Sequence, residues 1–266
     1  MLRVSIVQKA PMLNDEQYNF NNILESYIIN AANQGAQMVV FPEYSNVPIN
    51  EQGLSSVKNR EDSIKIFSIL AKKYNLWICA GIIYKNITKN KLSNSLFVFD
   101  NNGDIQGEYI KTHLIETTDE PDCFVKGDTP VILDTPWGKI GLAICYDIQF
   151  PQLFRNYAKA GVDAVIIPST IRTFRTEMWN TLIKARAYED HIFMIACNYI
   201  GENPSQGCLF SKRFSELGGM SCIVNPEGKT VLLAGNTETV ITANIDLKVS
   251  EKIKKSYPSL TSDNYS

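Results

Sequence analysis

A thiol, a carboxylate and an ammonium each close a strand-like run in this sequence. Cys145 ends the apolar stretch Gly141-Leu142-Ala143-Ile144 and is followed by Tyr146-Asp147-Ile148-Gln149-Phe150-Pro151. Glu43 follows Val39-Val40-Phe41-Pro42, and Lys111 follows Gly107-Glu108-Tyr109-Ile110. A thiol at a strand-to-helix turn stands at the carboxyl end of its strand, where open α/β sheets place their sites. The setting is analogous to the nucleophile elbow of serine hydrolases, without their G-x-S-x-G pattern. A helix start near Pro151 favours a thiolate, and amides there can hold an oxyanion. A free thiol ionises only near a pH of about 8.5, so it needs a base. His191, close to a helix end, reads as a cap or surface residue. His113, two residues after Lys111, reads as an orienting residue, with a Cys–His pair as the alternative. Glu43, just past its apolar strand, is the candidate carboxylate base. Alone, a cysteine of this kind is ordinarily buried filler, and Glu43 or Lys111 an ordinary solvated charge. Together they supply nucleophile, base and cation from three strand ends, which is the equipment for attack on a carbonyl.

The elements that must position them alternate between strand and helix patterns. Strands are expected at Arg3–Val7, Met38–Phe41, Trp77–Tyr84, Leu96–Asp100, Ile105–Ile110, Val131–Asp134, Lys139–Ile144, Ala164–Ile167, Phe193–Cys197, Ser221–Val224, Thr230–Leu233 and Val240–Ile245. Helices are expected at Glu16–Gln34, Asp62–Lys73, Pro151–Ala160 and Glu177–Asp190. Phe20, Ile23, Leu24, Tyr27 and Ile28 have helical spacing, and Gly35 stops that helix. Met38–Phe41 is apolar throughout, as in a strand covered on both faces. Asn101-Asn102-Gly103-Asp104 and Asn225-Pro226-Glu227-Gly228 read as hairpin turns. Hairpins added to strand–helix units make an α/β chain. No repeat or low-complexity linker divides it, so one domain over 1–250 is expected, with a polar, extended tail over 251–266.

Composition narrows the function. A formal net charge of −2 offers no basic field for nucleic acid or an anionic membrane. No run approaches the roughly 20 apolar residues that span a bilayer. In MLRVSIVQKAP, Gln8 and Lys9 break the apolar stretch and no small-residue cleavage site follows, so a cytoplasmic protein is expected. Six cysteines without a C-x-x-C pair, and two histidines, do not make a zinc site. No disulfide framework is expected either. Cys79, Cys197 and Cys222 read as small buried hydrophobes.

These segments together resemble the nitrilase superfamily over nearly the whole chain, from about Leu2 to Asn244. The resemblance rests on Phe41-Pro42-Glu43, Tyr109-Ile110-Lys111-Thr112-His113-Leu114 and Gly141-Leu142-Ala143-Ile144-Cys145-Tyr146-Asp147. Trp179, Ala185-Arg186-Ala187-Tyr188-Glu189 and Asn225-Pro226-Glu227-Gly228 add to it. It implies a four-layer α-β-β-α sandwich that pairs into a homodimer, with the helices near 151–160 and 177–190 at the interface. It implies a Glu43–Lys111–Cys145 triad and no metal or cofactor. A second family glutamate matches Glu120, with Glu116 close by as the alternative.

The resemblance also implies a mechanism, in which Glu43 is general base and Cys145 forms a thioester with a small amide. Lys111 and the Tyr146 N–H hold the oxyanion, and Glu120 holds Lys111. Cys-Tyr-Asp followed by Phe-Pro is similar to the omega-amidase and Nit-like branch, while nitrilases proper usually carry Trp-Glu after the cysteine. The chain departs from that branch at Gln149, usually Arg, and at Met178, often His. Arg175, four residues before Trp179, matches an arginine of similar omega-amidases and could pair with a substrate carboxylate. An ω-amide of a small carboxylic or keto acid is the expected substrate, with His113, Tyr146, Arg175 and Trp179 as the binding residues. A carbamoyl compound is the alternative. The competing classes are a scaffold that keeps the fold without the chemistry and an acyltransferase that passes the thioester to another acceptor.

Overall fold

The computed structural model describes residues 1–12, 20–49, 51–202 and 216–257. In chain order the elements are β1 (Leu2–Gln8), α1 (Phe20–Asn33), β2 (Met38–Val40), α2 (Glu51–Ser55), α3 (Arg60–Tyr74), β3 (Trp77–Asn86), β4 (Lys91–Phe99) and β5 (Ile105–Ile110). Then come α4 (Glu120–Cys123), β6 (Ile132–Thr135), β7 (Gly138–Leu142), α5 (Pro151–Lys159), β8 (Ala164–Pro168), α6 (Thr176–Asp190) and β9 (Phe193–Cys197). β10 (Ile200–Glu202), β11 (Glu216–Gly218), β12 (Cys222–Val224), β13 (Thr230–Leu233), β14 (Thr239–Ile245) and α7 (Lys248–Ser256) complete it.

Two six-stranded sheets result, ordered β14-β1-β2-β3-β4-β5 and β13-β12-β9-β8-β7-β6. In the first, β1, β2 and β3 run parallel and the rest pair antiparallel. In the second, β7, β8 and β9 are the parallel centre. The period of two sorts the side chains. Val4, Ile6, Met38, Val40, Cys79, Leu96 and Val98 face the second sheet and share its core. Their neighbours Val7, Val39, Phe41, Ile78, Ala80, Phe97 and Phe99 face away and bury Leu24 and Ile28 of α1 and Phe67 and Leu70 of α3. Leu153, Phe154 and Tyr157 of α5 and Trp179 and Ile183 of α6 cover the second sheet. The layers are α-β-β-α, the expected sandwich. Cys197 ties the sheets together, its thiol 3.3 Å from the Val7 carbonyl oxygen of the other sheet.

The hairpin at 101–104 is as expected, with Asp100 Oδ1 accepting from the amides of Asn102 and Asp104 at 2.8 and 3.0 Å. β4 begins five residues earlier than its apolar run suggests, at Lys91, because Ser93, Asn94 and Ser95 are polar yet buried. The first four residues expected in α1, 16–19, and Cys208 lie outside the described residues. The expected extended tail is corrected over its first residues: 251–256 belong to α7. Ser250 Oγ donates to the His191 carbonyl at 2.6 Å, and Lys254, one turn on, donates to that of Val162, which fastens the helix to the second sheet.

One close approach sets the position of Glu43. After β2 the chain runs on beside β3, with Ser45 N donating to the Gly81 carbonyl at 2.6 Å and Gly81 N to that of Pro42 at 3.3 Å. A Cβ at Gly81 would stand 2.5 Å from Glu43 Cα. Gly81→Ala is therefore expected to lower the unfolding free energy by roughly 1–3 kcal/mol, read by urea denaturation. An unchanged midpoint would mean that this backbone contact is not tight.

Candidate active site

The two sheets bring the strand ends together. β2 and β5 of the first sheet deliver Glu43 and Lys111. β7 and β8 of the second deliver Cys145 and Thr170. Glu43 and Lys111 have no exposure, and Glu120 and Cys145 are 6% and 5% exposed. Lys111 Nζ donates to Glu120 Oε1 and Oε2 at 2.9 and 3.1 Å, and to Glu43 Oε1 at 3.4 Å. Glu43 Oε1 also accepts from Asn94 Nδ2 at 2.7 Å, and Glu43 Oε2 from the Thr170 hydroxyl at 2.8 Å. Glu120 Oε2 accepts from Ile115 N at 2.9 Å. Each carboxylate oxygen thus has a donor, as buried charge requires. Glu116, the alternative second glutamate, is exposed.

The backbone fixes the ammonium on both sides. Lys111 N donates to the Asn94 carbonyl and Gly127 N donates to the Lys111 carbonyl, both at 2.9 Å. Gly127 runs so close to β5 that a Cβ there would meet the Ile110 carbonyl oxygen at 2.2 Å. Burial works against the charge on Lys111, but the carboxylates of Glu43 and Glu120 outweigh it and hold the ammonium above the ordinary lysine range.

Cys145 opens a tight 3₁₀ turn, Cys145–Gln149, that leads into α5. Its φ of +47° lies in the left-handed region, which costs a non-glycine residue on the order of 1–2 kcal/mol. The Asp147 carboxylate closes this turn, Oδ2 accepting from Ile144 N at 2.8 Å, while Asp147 N donates to the Ile144 carbonyl at 3.0 Å. From α6, Arg186 Nε and Nη2 donate to the Ile148 carbonyl at 3.2 and 3.0 Å, which is what the Ala185-Arg186-Ala187 motif does here. Burial first and the Glu43 carboxylate second push the Cys145 thiol well above its ordinary range, against the pull of Lys111 and of the Thr170 N–H. The Cys145 thiol stands beside a carboxylate that disfavours its ionisation.

The arrangement can move a proton between a buried carboxylate and a thiol and hold negative charge with a fixed ammonium, which is the chemistry of acyl transfer. The sequence profile of the carbon-nitrogen hydrolase family matches residues 3–255. The chain belongs to that family. This carbon-nitrogen hydrolase is 30% identical over 236 residues to the 2-oxoglutaramate amidase of Bacillus subtilis, covering 87% of the chain and 86% of that protein. It is 27% identical over 274 residues to omega-amidase NIT3 of Saccharomyces cerevisiae, covering 97% and 91%. The crystal structure of Saccharomyces cerevisiae Nit3, a member of branch 10 of the nitrilase superfamily, superposes with a TM-score of 0.86 at 26% identity, covering 100% of this chain and 97% of that one. The hydrolase is a C–N amidohydrolase of the nitrilase superfamily, on its omega-amidase and Nit branch. Among its described residues no helix is long and apolar enough to cross a membrane.

Of the expected binding residues, Tyr146 is half-buried, its ring edge-on to Phe150. His113 stacks on Phe150 with ring centroids 3.6 Å apart, and its Nδ1 lies 2.7 Å from Asp147 Oδ1. Asp147, rather than Cys145, holds this imidazole, as the orienting reading expects. Trp179, carried by α6, is fully buried against the second sheet. Arg175 is exposed, its guanidinium 5.5 Å above the Phe174 ring. Arg172 is half-buried and within electrostatic reach of Cys145. Burial and Arg175 lower its affinity for a proton, and a Cys145 thiolate raises it. The sequence gives no role to Asn94, Thr170 or Asp147, and it favours Arg175 over Arg172. The polar run Ser93-Asn94-Ser95 inside an otherwise apolar strand was the available signal for Asn94.

The local electrostatics make a signed prediction. Glu43→Gln removes a charge that raises the Cys145 thiol, so that thiol should titrate at lower pH than in the wild type. Thiolate absorbance near 240 nm, taken against Cys145→Ala, reads the shift. A thiol that titrates higher in Glu43→Gln would contradict the arrangement.

Proposed function

We propose that this amidohydrolase releases ammonia from an ω-amide of a small carboxylic or keto acid through a Cys145 thioester. The observation that carries the reading is the buried Glu43–Lys111–Glu120 charge cluster beside the Cys145 thiol. Cys145 Sγ attacks the amide carbon as Glu43 takes the thiol proton. Lys111 and the Tyr146 N–H hold the oxyanion. The C–N bond breaks as Glu43 passes the proton to the leaving nitrogen. Water then gives a proton to Glu43 and cleaves the thioester, and Glu43 returns the proton to sulfur. Glu120 keeps the ammonium aimed, which leaves Glu43, at 3.4 Å, free to act as the base.

The activities named for the amidases of Bacillus subtilis and Saccharomyces cerevisiae support the substrate class. For the carboxylate handle we assign Arg172 in place of Arg175. Arg172 is extended, with φ −80° and ψ 153°, and stands two residues beyond Thr170, which bonds Glu43. Side chains two apart in extended chain leave the same face. Asn198 clamps the intervening Ile171 peptide, accepting from its N–H at 2.7 Å and donating to its carbonyl at 3.1 Å. The same reading places the protein in the cytoplasm as a homodimer joined through α5 and α6, where Tyr188 is 63% exposed.

An ammonia-release screen over succinamate, N-carbamoyl amino acids and aliphatic nitriles tests the reaction, with Cys145→Ala as control. Turnover of succinamate that falls at least about 1,000-fold in Cys145→Ala is the expected result. Wild-type turnover by Cys145→Ala, or activity confined to nitriles, would overturn the reading. Arg172→Met is expected to raise KM for succinamate at least about tenfold and to leave KM for an uncharged amide unchanged. An equal KM for both in the variant and the wild type would remove Arg172 as the handle.

A further inference from the structure

One carboxylate outside the expected triad contacts both of the segments that carry reacting groups. Asp147 has no exposure. Its Oδ2 accepts from Ile144 N at 2.8 Å, one residue before Cys145, and from the Tyr109 hydroxyl at 2.8 Å, two residues before Lys111. Its Oδ1 lies 3.1 Å from His113 N, 2.7 Å from His113 Nδ1 and 3.1 Å from the Thr112 hydroxyl, all just after Lys111. Cys145 rises from the second sheet and Lys111 from the first. Asp147 therefore fastens a thiol carried by one sheet to an ammonium carried by the other.

We propose that Asp147 is a positioning residue that holds Cys145 and Lys111 in register for attack. Two features make the site depend on it. Cys145 is in the left-handed region, and the turn that keeps it there closes on the Ile144 amide through this carboxylate. The Lys111 chain continues into Thr112 and His113, whose donors converge on the other oxygen of the same group. Loss of the carboxylate releases both ends at once and lets the sulfur and the ammonium drift apart. A displacement of about 1 Å in such a pair costs on the order of 100-fold in rate. Asparagine is nearly isosteric but presents an N–H₂ to one set of donors, so it breaks one side of the bridge without emptying the space.

The inference rests on the amidase reading, and the experiment separates the two. Asp147→Asn, the wild type and Cys145→Ala are compared for kcat and KM on succinamate and for the rate of Cys145 alkylation by iodoacetamide across pH. For Asp147→Asn the expected result is a fall in kcat of about 100-fold with KM within about threefold, and a changed pH profile of alkylation. Wild-type kcat and alkylation in a folded Asp147→Asn protein would overturn the inference, and so would a loss confined to KM. If Asp147→Asn does not fold, Tyr109→Phe removes one donor from the same carboxylate and keeps the ring. It is expected to lose about threefold to tenfold in kcat, and an unchanged kcat and alkylation rate overturn the inference. A wild type without turnover, or an active Cys145→Ala, defeats the amidase reading instead, and the alkylation comparison then decides the role of Asp147 by itself.

Discussion

The structure depends on keeping one ammonium charged with none of its surface exposed. Lys111 has no exposure and is surrounded by strand ends of the first sheet, so its charge survives only because two carboxylates face it. Two carboxylates and one ammonium leave one net negative charge in the interior. Removing one partner from such a buried pair costs about 3–5 kcal/mol, so the members hold each other in place. Asn94, Thr170 and the Ile115 amide follow from this: they supply the donors that the carboxylates have left over. The glycines at 81 and 127 follow as well, since the chains bearing Glu43 and the end of the Glu120 loop must approach their neighbouring strands more closely than a side chain permits.

The same charge balance bears on Cys145. A thiolate at Cys145 would add a second net negative charge to the cluster, and burial would make it dearer still. A thiol is the consequence. The favourable helix start near Pro151 does not reverse this, because a 3₁₀ turn separates Cys145 from α5. Ionisation by helix position, which serves many reactive cysteines, gives way on the proposed reading to a base held alongside.

Much of this was legible in the chain because strand ends announce themselves. Met38–Phe41 and Ile140–Ile144 are apolar runs that stop at a proline or a polar turn, so the sequence itself marks Glu43 and Cys145 as lying just past a sheet edge. Glu120 was legible through resemblance alone, since a loop and a four-residue helix, α4, carry it, and neither has a periodic pattern. Asn94, Thr170 and Asp147 were hidden for a different reason. Each serves a partner 35 to 127 positions away: the stacking of two sheets makes neighbours of Asp147 and Thr112 and of Thr170 and Glu43, and the strand order β2-β3-β4 does so for Asn94 and Glu43. Arg175 drew notice by its offset from Trp179, but offset along the chain does not fix direction: the 3₁₀ turn Thr173–Arg175 carries it outward over Phe174 while Arg172 stays half-buried.

A neutral thiol fits amide cleavage on the proposed reading better than a preformed thiolate does. The amine is a poor leaving group and must receive a proton as the C–N bond breaks. Where the thiol has already lost its proton to solvent, that proton has to be fetched back. Where Glu43 takes it during attack, the proton is inside the site and one short transfer from the departing nitrogen. Glu120 makes this possible by taking the nearer contacts to Lys111, at 2.9 and 3.1 Å, and leaving Glu43 the longer one at 3.4 Å. A Glu43 bound as tightly to the ammonium would be a weaker base. On that reading, the asymmetry of two glutamates about one lysine divides the labour between holding charge and moving protons.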